Sequence, residues 1–97
     1  MKDHSYWVYM MTNKTRSTLY IGVTNDLVRR LAEHRAGEIP GFTRDYHCTH
    51  LVYSSRFSDV RSAISWEKKL KGWRRAKKNA LVARDNPHWN DLAEDWF

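Results

Sequence analysis

Tyr9, Tyr20, Arg30, His34 and Glu67 form a set of side chains that can hydrolyse a phosphodiester if the fold brings them together. Phenol hydroxyls and an imidazole can orient a water and move its proton, and a guanidinium can brace charge on phosphorus. A carboxylate can hold a hard divalent cation. The tyrosines belong to the triplets Trp7-Val8-Tyr9 and Tyr20-Ile21-Gly22, with Arg30 and His34 one helical turn apart just beyond.

The elements that must position them can be read from patterning. Tyr6 to Met11 and Thr18 to Val23 are rich in aromatic and branched residues and flank the polar segment Thr12 to Ser17, which predicts a β-hairpin. Pairing Asn13 with Arg16 across a two-residue turn places Tyr9 opposite Tyr20. Period-two alternation sends Leu19, Ile21 and Val23 to one face. Thr18, Tyr20 and Gly22 go to the other, which reads as open to a ligand, with Gly22 leaving room for its close approach. Read alone, the hairpin is equally served by two tyrosines that merely suit a pleated surface.

Thr24-Asn25-Asp26 offers capping side chains, and Leu27, Val28 and Leu31 follow at helical spacing, so a helix is expected from Asp26 to Ala36 with Gly37 as its stop. Arg30 and His34 then share a stripe bordering the apolar one, while Arg29 and Glu33 face outward as a solvated pair. Pro40-Gly41 marks a loop, and a third strand is read from Tyr46 to Phe57. A further helix begins at Ser58-Asp59 and buries Val60, Ala63, Ile64 and Leu70, with Glu67 near the centre of that stripe. An inward carboxylate costs several kcal/mol, roughly, unless a cation or donors receive it. Arg30 is one candidate partner and a metal ion another.

These residues resemble the GIY-YIG nuclease family over most of the chain. The tyrosine closing the first triplet matches Tyr9 and the one opening the second matches Tyr20. The arginine ten residues later matches Arg30, the histidine one turn on matches His34, and the metal-binding glutamate of a later helix matches Glu67. The phosphate-positioning asparagine is best matched by Asn79. The first triplet departs from the pattern, with tryptophan and valine in place of glycine and isoleucine, but it keeps the tyrosine. The resemblance implies a three-stranded antiparallel sheet carrying the site on one face. It also implies a magnesium- or manganese-dependent phosphodiesterase, an endonuclease ahead of an exonuclease, in DNA repair or nucleic-acid processing. Tyr9 is expected to orient or deprotonate the water with Tyr20 and His34 assisting, Arg30 to support the developing charge and, with the metal, to lower the pKa of Tyr9, and Glu67 to hold the metal.

Charge agrees with a nucleic-acid partner, DNA ahead of RNA. All 17 Lys and Arg of the 97-residue chain lie in residues 1–84 with seven of its 11 acids, whereas residues 85–97 hold four acids and no base. Such a body attracts polyanions. The densest run holds Lys68, Lys69, Lys71, Arg74, Arg75, Lys77 and Lys78 directly after Glu67, and these together with Gly22 are the expected nucleic-acid contacts. A solvated helical face is the plainer reading of such a run. Gly72 divides it into two helices, the second ending near Arg84, with Trp73 packing at the joint. Trp89, Leu92, Trp96 and Phe97 fold the acidic tail back on the body.

The expected architecture is α+β, one domain over residues 1–97, in the order β-β-α-β-α-α: a small antiparallel sheet flanked by helices. The lone Cys48 excludes an internal disulfide, and His47, Cys48 and His50 lack a second ligand pair at zinc-like spacing. With no signal peptide or membrane-length apolar stretch, a cytoplasmic location is expected. A purely binding module with the same fold is the competing function, but it leaves an inward Glu67 unexplained. A structural component of a larger complex fits the charge and none of the spacings.

Overall fold

The computed structural model describes residues 4–39, 41 and 45–97. Two hairpin strands, β1 (Tyr6–Thr12) and β2 (Leu19–Thr24), are followed by helix α1 (Leu27–Arg35), strand β3 (His50–Phe57) and helices α2 (Val60–Gly72) and α3 (Arg75–Asp85). The sheet is antiparallel in the order β2-β1-β3, so β2 presents a free edge. The α+β architecture and element order are those expected. β3 begins at His50 rather than Tyr46, which is exposed in a turn. Pro40 lies outside the described residues.

The sheet is covered on both faces. Val8, Met10, Ile21, Val52 and Tyr53 pack with Ala63 and Leu70 of α2 and Val82 of α3. On the opposite face Tyr9, Met11 and Leu51 pack with Leu27 and Leu31 of α1, Cys48 and Ala93. The tyrosine face is therefore closed over Tyr9, which is fully buried, and is not the open ligand surface that alternation alone suggested. Alternation distinguishes the two faces but does not say whether a helix covers the second, and here α1 does.

The hairpin register also differs. Arg16 N–H does donate to Asn13 C=O at 3.0 Å, yet Arg16 then takes a left-handed conformation (φ 62°), so the strands do not pair directly beyond that turn. Asn13 Oδ1 accepts from Thr18 N–H, and pairing starts only at Thr12 with Leu19. The register consequently shifts by two residues: Tyr9 faces Gly22 and Tyr20 faces Met11. A two-residue shift preserves side-chain parity, so both tyrosines stay on one face as diagonal neighbours with ring centroids 6.1 Å apart.

Gly22 accordingly serves the protein's own packing. A Cβ there would stand 2.5 Å from Tyr9 Oη and 2.6 Å from Cζ, so the space expected for a ligand is filled by the Tyr9 ring. Gly22→Ala should drive that ring out of place and destabilise the fold by about 1–3 kcal/mol. The check is a denaturant titration beside Gly37→Ala, where the strain is confined to a helix terminus with φ 71°.

The helix boundaries follow their caps. Asp26 accepts from Arg29 N–H, Asp59 accepts from Arg61 and Ser62 N–H, and Trp73 closes α2 at the joint with α3. Between Met10 and Met11 the β1–β3 register skips Val52, a bulge that puts Val52 and Tyr53 on the same face. The buried Asn86 amide donates to the Val52 carbonyl at 3.2 Å. The tail folds back on the body as expected, with Trp89 packed on the core, Leu92 N–H donating to the Leu51 carbonyl at 2.8 Å and the Arg35 guanidinium 4.9 Å over the Phe97 ring, although Leu92, Trp96 and Phe97 stay 46, 42 and 57% exposed. Attachment also runs through buried Ala93, through Asp91 Oδ1 accepting from Leu51 N–H and through Arg35, which donates to Asp91 Oδ2 at 2.6 Å. No helix among the described residues is long and apolar enough to cross a membrane.

Candidate active site

Tyr9 and His34 form the centre. Tyr9 comes from the middle of the sheet, and His34, one turn beyond Arg30, lies on the buried stripe of α1 with Leu27 and Leu31. Their side chains meet with Tyr9 Oη 2.9 Å from His34 Nε2. Tyr20 completes an aromatic triangle, its ring centroid 5.3 Å from that of His34. The Arg30 guanidinium stands beside the Tyr9 hydroxyl, is partly exposed, and reaches Glu33 Oε1 at 3.3 Å. Glu33 is therefore the partner of Arg30, not of Arg29 as expected from helical spacing. Arg30 Nε and His34 Nδ1 are buried without hydrogen-bond partners among the described residues.

Electrostatics set the resting protonation. His34 is pushed down to about 4 from 6.5, first by burial and then by the Arg30 cation, with Glu33 opposing. It is therefore a neutral imidazole near pH 7. The Tyr9 hydroxyl is pushed well above its usual range, chiefly by burial; Arg30 pulls it down but does not prevail. Arg30 alone thus does not give Tyr9 the lowered pKa expected of Arg30 and a metal together, because a fully buried phenol loses more solvation than one partly exposed guanidinium returns.

The His34 shift has a measurable consequence. Over the interval from about 6.5 down to about 4 the unfolded chain protonates His34 while the folded chain keeps it neutral, so the unfolded state binds more protons. Stability should fall as pH drops through that interval, by on the order of 2–3 kcal/mol at its acid end. Denaturant midpoints recorded across the interval should show this slope in the wild type and a much flatter one in His34→Gln.

Glu67 lies on α2 between the buried Ala63 and Leu70, with its side chain only 15% exposed. Its Oε2 is 3.3 Å from Lys71 Nζ, so the partner expected in Arg30 is instead the lysine one turn along the same helix. Val60 and Ile64, expected in the core, are 41 and 37% exposed. Helical spacing explains this: Val60, Ile64, Glu67 and Lys71 border the Ala63–Leu70 stripe on one side and do not share its centre. That border faces a cleft of about 390 Å³ between α1 and α2 at the free edge of β2, where Val60 and Ile64 oppose Arg29 and Arg30. Arg30 thus joins the cleft to the Tyr9 hydroxyl, whereas Glu67, about one turn beyond Ile64 on α2, is not among the residues lining the cleft. Arg29, expected to point away, is solvent-exposed but lines the cleft's mouth.

Asn79 is not in this cluster. Its Oδ1 accepts from Arg75 Nε at 2.8 Å, and Arg75 also donates to the carbonyls of Arg16 and Ser17 in the hairpin loop. The basic run is similarly divided. Lys71 serves Glu67, Arg75 fastens the loop and Lys77 stacks over Trp73 at 4.1 Å, while Lys68, Lys69 and Arg74 are exposed. Tyr6, Asn25, Val60 and Ile64 were not singled out as site residues. Exposed apolar side chains beside a carboxylate are visible only once the helix is set against the sheet.

The GIY-YIG catalytic domain model matches residues 5–79, from the approach to β1 to Asn79 on α3. The chain is similar to a UPF0213 protein of Natronomonas pharaonis, 40% identical over 81 residues that span 84% of this chain and 92% of the relative. It is similar to one of Bacillus pumilus, 34% identical over 84% of this chain and 83% of the relative. The solution NMR structure of the UPF0213 protein from Bacillus halodurans superposes with a TM-score of 0.58 at 29% identity, covering 94% of this chain and 97% of that one. Triplet spacing, strand order and these likenesses agree: the chain belongs to the GIY-YIG family of nuclease domains, alongside the small UPF0213 proteins.

Proposed function

We propose that the protein is a metal-dependent phosphodiesterase that cuts DNA or RNA along the cleft between α1 and α2. The observation that carries the reading is the 2.9 Å contact between Tyr9 Oη and His34 Nε2, with Arg30 beside it and open to the cleft. A neutral imidazole accepts at one ring nitrogen. In this reading Nε2 is that nitrogen. Because Tyr9 rests protonated and fully buried, it works as a relay only once substrate docking uncovers its hydroxyl from the Arg30 side: its oxygen then takes the proton of the attacking water as its own proton passes to His34. Tyr20 helps to hold the water, and Arg30 receives the negative charge that develops on the phosphoryl oxygens. Asn79 contributes indirectly, by bracing Arg75 against the hairpin loop.

The donor set fits a hard cation. Glu67 is a single, mostly buried carboxylate on α2, and no group of three or more His, Cys, Asp or Glu suited to caging a metal occurs among the described residues. One carboxylate completed by waters and a substrate phosphate is how magnesium or manganese is commonly held, unlike zinc or calcium. When bound, such an ion neutralises charge at the scissile phosphate. Lys71 occupies the carboxylate otherwise. Lys68, Lys69 and Arg74 supply the sequence-independent attraction to the phosphate backbone.

The two adjacent arginines test the placement of the phosphate. Arg30→Ala should cost about 2–4 kcal/mol in transition-state stabilisation, read as a lower single-turnover rate. Arg29→Ala should weaken binding slightly and leave that rate unchanged, since its guanidinium lies at the cleft's mouth. Equal rate losses would place the reacting phosphate elsewhere.

A further inference from the structure

Two apolar side chains stand in the cleft where a phosphate backbone alone has no use for them. Val60 and Ile64 are 41 and 37% exposed, and with Tyr6 and Val23 they line the same cavity of about 390 Å³ that Arg30 enters. The exposed Asn25 amide sits at its rim. The cavity lies towards the small end of the range for ligand pockets, roughly 300–1,000 Å³. Its walls pair one aromatic and three aliphatic side chains, Tyr6 with Val23, Val60 and Ile64, with two arginines, one threonine and a single amide.

We propose that this cleft is a subsite for one unstacked nucleobase, that of the nucleotide whose phosphate Arg30 holds; the proposal rests on the nuclease reading above. Each wall matches a part of such a nucleotide. The apolar side chains cover the faces of the base, Asn25 meets its polar edge, and Arg30 meets the phosphate. A base inside a duplex has its faces covered by its neighbours and offers nothing to Val60 and Ile64. An unpaired or extruded base offers both faces, as in other proteins that receive bases singly. The substrate class is therefore a nucleic acid carrying an unpaired nucleotide at the point of cleavage.

Binding without cleavage tests this. In a metal-chelating buffer, the full chain is titrated into a fluorescently labelled oligothymidylate and into a wholly abasic sugar-phosphate strand of equal length. The two strands carry the same charge and differ only in bases. The wild type should prefer the base-bearing strand by about tenfold, towards the lower end of what base stacking provides. Ile64→Ser and, separately, Val60→Ser should shrink that preference while leaving affinity for the abasic strand unchanged. Both positions are partly exposed, and a thermal melt confirms folding of each variant. Equal binding of the two strands by the wild type, or an undiminished preference in both variants, overturns the subsite. A parallel incubation with magnesium keeps the two readings apart: cleavage without base preference removes the subsite alone, and base preference without cleavage removes the nuclease reading alone.

Discussion

Tyr9→Phe is expected to lower the cleavage rate by about 10²–10⁴ at saturating substrate, the range associated with losing a positioned acid–base group. The substitution isolates the hydroxyl. The phenyl ring fills the same slot over Gly22, which has no Cβ to contest it, so the sheet and the groove should be retained. The loss leaves His34 Nε2 without its partner inside a buried site, at a stability cost of about 1–3 kcal/mol. A thermal melt therefore accompanies the kinetics, and nucleic-acid affinity in chelator should be close to that of the wild type. A folded Tyr9→Phe protein with undiminished single-turnover cleavage would remove Tyr9 from the chemistry.

Glu67→Gln should abolish metal-stimulated cleavage while metal-free nucleic-acid binding persists or improves. The amide is nearly isosteric, so packing between Ala63 and Leu70 survives. What changes is charge: the cation loses its carboxylate, and Lys71 loses the counter-ion it holds at 3.3 Å. A freed, exposed lysine then strengthens the general attraction to phosphate. Calorimetric titration with manganese should show heat of binding to the wild type and none to the variant. Full cleavage by Glu67→Gln would separate this carboxylate from metal binding.

The fold was legible because local signals agreed with one another. The caps at Asp26 and Asp59, the alternation in β1 and β2 and the break near Gly72 each coincide with an observed boundary within a residue or two. The hairpin register was not legible. Nothing in the residue types announces that Arg16 adopts φ 62° and lengthens the connection between the strands. That error left the two tyrosines neighbours, since a shift by two residues keeps Tyr9 and Tyr20 on one face.

The meeting of Tyr9, Tyr20, Arg30 and His34 was legible from spacing, whereas the place of Asn79 and the electrostatic environment were not. Periodicity placed Arg30, His34 and Glu67 on the right helices. It could not say that a covering helix buries Tyr9, and burial reverses the direction of its pKa. Val60 and Ile64 read as core because apolar residues at helical spacing usually are. Their actual position on the stripe's border depends on how α2 lies across the sheet, a tertiary matter. Lys71 was one of seven similar cations until the structure set it against Glu67.

One measurement bears most directly on the claim that the Tyr9–His34–Arg30 cluster is a phosphodiester-cleaving centre. The purified chain is incubated with end-labelled single-stranded, duplex and branched DNA and RNA, with magnesium or with chelator, and single-turnover product formation is followed. At least one of these substrates should be cut with magnesium and none with chelator. Binding across the whole set with no cleavage of any member under either condition would contradict the account and make the protein a nuclease-shaped binding module.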